Sequence, residues 1–564
     1  MVKDIHELIS IRKNWISVNR ENNFEDGIKN LLSNMYPDEA HFIYELLQNA
    51  EDKKAKHVYF KMSRDMLVFE HDGGIYDKNQ LFTLKDIESI TGIGTSTKRD
   101  DNTTIGKFGV GFKAVFAYTE TPQIYSGNYS FEINDLVVPK LIDRCFNLKD
   151  GITRFVFPFN SKTKDIKDTL SEIRKGLINI KDNTLLFLKN IESISYELDD
   201  SRKGEFLRID EKNNQVTLLG KNNEETHWLR FDKQIKIEDE EDSKIKDCTI
   251  NIAFKLKKLD LGVKEIIPTD SGVSIFFPAE KEVSNLRFII NAPFASTIAR
   301  DSVRNCKSNR LLINELSLFI KEVLQQISEY GYMCMNFFKV LPNNDDDIPE
   351  MYMPIFESIY EEYESKPYFI TQTNELDYLK NVVKAYRAVV YELFSDEDIN
   401  EILNKKDLKW LKNPSLDNSP ESKFLNMFNI KKLTIYDLLS KKNINLLNII
   451  KTKENKWFYK MFKQLFKEIS EFENLNIYTL SDFAFIPTIS RDFCLPHEVY
   501  YSRQEIESKN SNIISSELFS NKTKDDNKSR IDEDVIRVLE KLGVKEFDAK
   551  AIIKIVICLR VYYK

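Results

Sequence analysis

Glycine is scarce in this chain and concentrated in one place. Only 17 of 564 residues are glycine, less than half the average usage of about 7%. Seven of the 17 stand between positions 73 and 111: Gly73, Gly74, Gly92, Gly94, Gly106, Gly109 and Gly111. Glycine is needed where backbone turns sharply or where something must approach it closely. A chain that otherwise avoids it is expected to build a backbone-lined binding site in that stretch.

Hydrophobic periodicity lays out the surroundings. Helices are expected over 24–35 and 38–53, the second from Phe42, Ile43, Leu46, Leu47 and Ala50 at helical spacing. KHVYFKM (56–62) and DMLVFEH (65–71) read as strands. They are followed by a helix from about 78 to 90, a polar loop over 91–105 and a small-residue helix over 109–118. Further strands fall near 121–126, 129–133 and 152–158. Short turns between strands imply one mixed sheet with helices on one face, an α/β sandwich rather than a doubly wound parallel sheet. NSKTKD (160–165) closes a first domain, 1–165. A helix, then mostly strands, then a helix at 309–328 make an α/β middle domain, 166–341, in which the acidic run Glu238 to Asp242 is a solvated hairpin tip. PNNDDDIPE (342–350) has the composition of a linker, and 351–564 is mainly helical, with a division near KNPSLDNSPES (412–422).

Composition removes several function classes. The net charge of -7 argues against a chain that coats nucleic acid, though a local basic groove stays open. No run approaches the roughly 18–20 apolar residues of a membrane helix, and the first ten residues lack a signal-peptide core. The six cysteines, at 145, 248, 306, 334, 494 and 558, never approach C-x-x-C spacing, and the histidines are scattered. A zinc site is not expected, and the expected compartment is reducing, that is, cytoplasmic.

Three segments carry chemistry. In YELLQNAED (44–52), Glu45, Asn49 and Asp52 stand at i, i+4 and i+7, on one stripe of the helix. In FEHDGG (69–74) a strand ends at Asp72 and the chain turns at Gly73-Gly74. In GIGTSTKRDD…IGKFGVGFKAVF (92–116) glycines precede a helix, and free amides at a helix start bind phosphate. Taken alone, each has an ordinary explanation: a solvated helix face, an Asp-Gly hairpin turn, a loop. A Rossmann fingerprint at 109–114 would need a buried strand before it, and DDNTTIGKF is polar. A P-loop fails because Phe108 follows Gly106-Lys107.

Together, in this order and spacing, the three segments resemble the GHKL ATPases of the Bergerat nucleotide fold. IGKFGVGFKAVF is similar to the heat-shock chaperones, and the longer run through AYTETPQIYSG is most similar to the sacsin and NO VEIN type. The resemblance covers residues 38–158. It implies ATP and Mg2+ as ligands. Asn49 would hold magnesium, which takes few protein oxygens beside phosphate and water, and Glu45 would act as the general base on the attacking water. Asp72 would accept from the adenine amino group, with Thr153 supporting that end through water. Residues 92–105 would be the lid, with Gly74, Asp52 and Lys98 supporting. Phosphates would lie on the stretch Gly106, Lys107, Phe108, Gly109, Val110, Gly111 and Phe112, chiefly on the backbone amides from Gly109 to Phe112. One departure is Tyr76, which stands where the family's Asp-x-Gly-x-Gly turn has its last glycine. RFIINAPFASTIARDSVRNCKSNRLLINEL (287–316) resembles the chaperone middle-domain catalytic loop, and Arg300 matches the arginine that meets the γ-phosphate.

The resemblance implies a slow, Mg2+-dependent ATPase working as a conformational switch, chaperone-like, on a protein client or partner subunit, with a homodimer forming on ATP binding. Two alternatives stay open. One is the ATPase subunit of a larger assembly, such as a prokaryotic antiviral defence system with a separate effector. The other is a nucleotide-binding scaffold with little turnover, against which an intact Glu45 argues.

Overall fold

The structure is a computed structural model. It describes residues 3–21, 42–92, 111–145, 147–238, 245–270, 272–297, 301–414, 418–472, 475–504, 512–522 and 529–547. The chain divides into two compact units, residues 1–362 and 363–564.

The first unit is built on one sheet. Helices α1 (Ile5–Glu21) and α2 (Phe42–Asp52) precede the hairpin β1 (His57–Met62) and β2 (Met66–His71). Helix α3 (Leu84–Ile90) follows, then β3 (Gln123–Ser126), β4 (Tyr129–Asn134), β5 (Val138–Leu141) and β6 (Thr153–Pro158). Next come α4 (Ile166–Ile178), β7 (Ser193–Glu197), β8 (Lys203–Asp210), β9 (Gln215–Leu219), β10 (Glu225–Glu238) and β11 (Ile245–Lys258). The unit continues with β12 (Lys264–Ile267), β13 (Gly272–Ile275), β14 (Phe277–Val283), β15 (Ile289–Asn291) and α5 (Lys307–Glu329). Among the described residues all fifteen strands join one sheet, in the order β14-β13-β15-β11-β10-β9-β8-β7-β1-β2-β6-β3-β4-β5, with β12 on β11.

The joint between the two halves is the parallel pair β1–β7, in which His57 faces Ser193 and Lys61 faces Glu197. A parallel pair needs a crossover, and α4 lies within it. Burial alternates along β1 and β2, with Val58, Phe60, Met62, Leu67 and Phe69 inward, the two-residue period of a half-buried sheet. Those residues share a core with Phe42, Ile43, Leu46, Leu47 and Ala50 of α2. The expected hairpin around the acidic run is the long antiparallel pair β10–β11, closed in register at Glu238 and Ile245. The expected helix from 78 to 90 is broken. Lys78–Gln80 is a short 3-10 turn, and α3 starts afresh because Thr83 and Asp86 form a capping box.

The second unit mixes helices with short strands. Val382–Ala385 runs parallel to both Lys409–Trp410 and Lys432–Leu433, between which it lies. Its core gathers Phe458, Phe462 and Leu465 of the helix Asn455–Glu471 with Val535, Val538 and Leu539 of the helix Glu533–Leu542.

One core group reports on acid stability. His71 ends β2, is 2% exposed, and accepts at Nδ1 from the Gly73 amide at 3.4 Å. Burial, and secondly Lys53, push its pKa down to about 3. The native state therefore holds His71 neutral, while the unfolded chain takes up a proton below about 6.5. Stability should be unaffected by His71 above that value. It should fall below it by about 1.4 kcal/mol per pH unit as pH drops toward the folded value. Denaturant titrations across this range should show the loss, and His71→Gln should flatten it.

Candidate functional site

Helix α2 sets the site. FIYELLQNAED contains no glycine or proline, and its apolar residues are buried against the sheet. Its polar residues do not form the solvated stripe that their spacing allows. Glu45 is 8% exposed, and Gln48 and Glu51 are more deeply buried. Asn49 and Asp52 are half-buried.

Glu51 is the residue that sequence reading missed. Its carboxylate accepts from the amides of Lys189 at 2.8 Å, Asn190 at 2.8 Å and Ile191 at 2.9 Å, and from the Asn190 side chain at 2.9 Å. The same segment is gripped from the other side. Arg208 on β8 donates to the carbonyls of Leu185, Leu188 and Lys189, and Arg230 on β10 donates to that of Leu186 at 3.0 Å. Residues 185–191 thus tie α2 to the strands beyond β7. The partners stand about 140 residues from Glu51, so no local pattern points to them.

The second corner lies at the end of β2. Asp72 is 6% exposed, and its Oδ1 accepts the amides of Lys56 at 2.8 Å and His57 at 2.9 Å. These bonds close the start of β1 onto the end of β2. Gly73 and Gly74 then begin the single helical turn Gly73–Tyr76. A Cβ on Gly74 would stand 2.6 Å from the Gly151 carbonyl, so a side chain there displaces the loop before β6. Thr153, fully buried, faces His71 across the ladder and bonds to Ser126 at 2.6 Å. Tyr76 is half exposed. Burial and the nearby Asp72 carboxylate raise the pKa of its phenol, and Lys56 sits over its ring. The residue that departs from the glycine pattern therefore stands close enough to the carboxylate at this corner to feel its charge.

The third corner is Gly111. It opens a 3-10 helix, Gly111–Ala117, rather than an α-helix. A Cβ added to Gly111 would overlap the Glu45 carboxylate. Phe112, 8% exposed, packs on Phe155 and Phe157 of β6. The structure thus brings Glu45 and Gly111 into contact and sets Asp72 and Thr153 at neighbouring strand ends. Lys98, Gly106, Lys107, Phe108, Gly109, Val110 and Arg300 lie outside the described residues. Among the described residues no group of three or more His, Cys, Asp or Glu is placed to hold a metal ion. No described helix is long and apolar enough to cross a membrane.

Residues 21–144 match the Sacsin domain model. This part of the chain is similar to a Sacsin domain. Its sequence relatives are of the sacsin and NO VEIN type. Protein NO VEIN of Arabidopsis thaliana is 27% identical over 335 residues, 55% of this chain and 12% of that protein. Sacsin of Homo sapiens is 28% identical over 221 residues, 30% of this chain and 5% of that protein. The chain therefore spans a small part of either relative. Among solved structures, the B-subunit of DNA gyrase from Myxococcus xanthus aligns with 55% of this chain and 99% of its own length. That match has 9% identity and a TM-score of 0.32, a likeness too slight to carry an assignment. The matched stretch holds all three corners of the site except Thr153, which follows its end.

A cavity of about 790 Å³ lies elsewhere, within the second unit, and is lined by Lys380, Lys405, Lys431 and Lys441. Lys405 and Lys441 closely follow the ends of helices Asp396–Leu403 and Ile435–Leu439. Cations there complement the helix dipole, so their charge has a structural explanation.

Two outcomes are expected. Glu51→Ala leaves three backbone amides without their acceptor, each costing about 1–3 kcal/mol, so denaturant titration should show a loss on the order of 3 kcal/mol or more. Gly111→Ala should leave the melting temperature within a few degrees, since the site is at an edge of the core. It should still displace the Glu45 side chain, visible as shifted Glu45 side-chain resonances.

Proposed function

We propose that residues 42–158, within and just beyond the matched stretch, bind ATP with Mg2+ and hydrolyse it slowly, and that binding drives a conformational switch acting on a protein client. The observation that carries this reading is the contact of a buried carboxylate, Glu45, with Gly111, where an added Cβ would push that carboxylate aside. A carboxylate held beside bare backbone amides suits a group that must orient water next to phosphate. The donor set fits the ligand. Asn49 and Asp52 lie one and two turns along α2 from Glu45 and offer half-buried oxygens of the hard kind magnesium takes. Magnesium, when bound, would screen the phosphate charge.

Each residue has a task in this reading. Glu45 accepts a proton from water. Asn49 holds the metal, with Asp52 in support. Asp72 selects adenine by accepting from its amino group, and Thr153 supports that contact. Gly74 lets the turn lie flat, and the amides up to Gly111 and Phe112, with Lys98, Lys107 and the neighbouring Gly106, Phe108, Gly109 and Val110, hold phosphate. Arg300 completes the charge when the site closes. Phosphoryl transfer of this kind rests on positioning and charge stabilisation, and closure makes it slow.

Glu45→Ala should keep ATP affinity but lose hydrolysis by about 10²–10⁴-fold, the usual worth of a general base. A variant that hydrolyses at the parent rate would remove Glu45 from this role. Tyr76 makes a test particular to this chain. Its phenol lies near the Asp72 carboxylate and would compete with adenine for it, so Tyr76→Phe should strengthen ATP binding by a few-fold. Asp72→Asn should weaken it about tenfold or more, since a misplaced buried donor costs about 1–3 kcal/mol. Calorimetric titration of both variants reads the two opposite signs.

A further inference from the structure

A charged residue type stands in the middle of the apolar run that follows the glycines. In Gly111–Ala117 the sequence is GFKAVFA, and Phe112, Ala114 and Val115 belong to the core. Lys113 between them is 2% exposed. A lysine is almost never fully buried unless its donors are met. Here Nζ donates to the Ile90 carbonyl at 2.8 Å and to the Leu136 carbonyl at 2.5 Å. The Phe116 ring lies 5.6 Å away.

The two acceptors belong to separate elements. Ile90 ends α3, where the last carbonyls have no partner within the helix. Leu136 lies in the turn between β4 and β5, where Asp135 and Leu136 both have positive φ, 48° and 67°. Aspartate tolerates that conformation. Leucine does so only when the surroundings impose it. The turn is thus held in a shape that presents its carbonyl to Lys113. Two residues before Lys113 stands Gly111, against the Glu45 carboxylate.

We propose that Lys113 is a positioning residue for the site: its amine straps the Gly111–Ala117 turn to the end of α3 and to the β4–β5 turn, and so holds Gly111 against Glu45. The consequence for hydrolysis rests on the ATPase reading above. The strap itself does not.

The proton count supports the geometry. A neutral amine has two N–H donors, matching the two carbonyls. Burial, and secondly the charge of Arg12, bring the Lys113 pKa down to about 7. Among the described residues the charged groups around it are few. Arg12, on α1, donates to the Glu88 carbonyl at 3.1 Å and has the Glu88 carboxylate as its coulombic partner. Asp135 in the facing turn pairs with Arg20 at 3.0 Å. Above about pH 7 the amine is neutral and its bonds are complete. The opened lysine takes up a proton below its ordinary 10.5, so the strap weakens as pH falls from there to about 7 and no further.

Hydrogen exchange on the full chain tests the strap without any nucleotide. In Lys113→Met, amides of Gly111–Ala117 and of the end of α3 should exchange about tenfold faster, while those of α4 keep the parent rate. Unchanged exchange at Gly111–Ala117 would overturn the proposal. Should Lys113→Met fail to fold, the parent alone suffices. After correction for intrinsic chemistry, protection of that turn should rise from about pH 7 upward, and a flat profile would overturn it. ATPase assays then read the coupling. Lys113→Met should lower kcat about tenfold with KM for ATP within about twofold, and should cause no further loss in a Glu45→Ala background, because both changes act through one group. A parent without ATPase activity whose turn still loosens in Lys113→Met would sink the ATPase reading and leave the strap standing. Additive loss in the double variant would overturn the coupling to Glu45.

Discussion

A carboxylate taken out of water must be met by donors, and Glu51 meets this demand with four N–H groups from residues 189–191. That demand sets where α2 lies. The helix cannot shift along the sheet without stripping those bonds, and the segment cannot shift because Arg208 and Arg230 hold its carbonyls. Glu45, Asn49 and Asp52 ride on the same helix. Their positions follow from a bond network on another part of α2.

The network also explains why the first unit has one sheet rather than two. β7 leaves the gripped segment directly and pairs parallel with β1. The strands that carry Asp72 and Thr153 are thereby continuous with β8 to β11, which supply the arginines. Residues 185–191 bond α2 to the second half of the sheet.

Much of this was legible in the sequence, for physical reasons. The alternation of Val58, Phe60 and Met62, and the helical spacing of Phe42, Leu46 and Ala50, are local patterns, and the corresponding strands and helix are present. The glycine cluster marked Gly74 and Gly111, where an added Cβ would push a neighbour aside. What stayed hidden depends on partners far along the chain. Glu51 carries no pattern of its own in the sequence, because Ile191 is its partner only in the folded state. The closeness of Tyr76 to Asp72 was half visible, as a departure from a glycine pattern whose consequence needed coordinates. Lys113 did leave a signal, a lone cation amid Phe112, Ala114 and Val115, but its acceptors are carbonyls, which no sequence displays. The break before α3 was readable from Thr83 and Asp86, whose capping spacing outweighs the helical pattern before them.

The central claim is that the three corners around Glu45, Asp72 and Gly111 form an adenine nucleotide site. Its most direct test is calorimetric titration of the full chain with ATP and with GTP, each with and without Mg2+. The account predicts saturable binding of one ATP per chain that is stronger with Mg2+, together with GTP binding weaker by tenfold or more, because guanine presents a carbonyl where Asp72 needs a donor. Absence of ATP binding, or equal affinity for the two nucleotides, would contradict it.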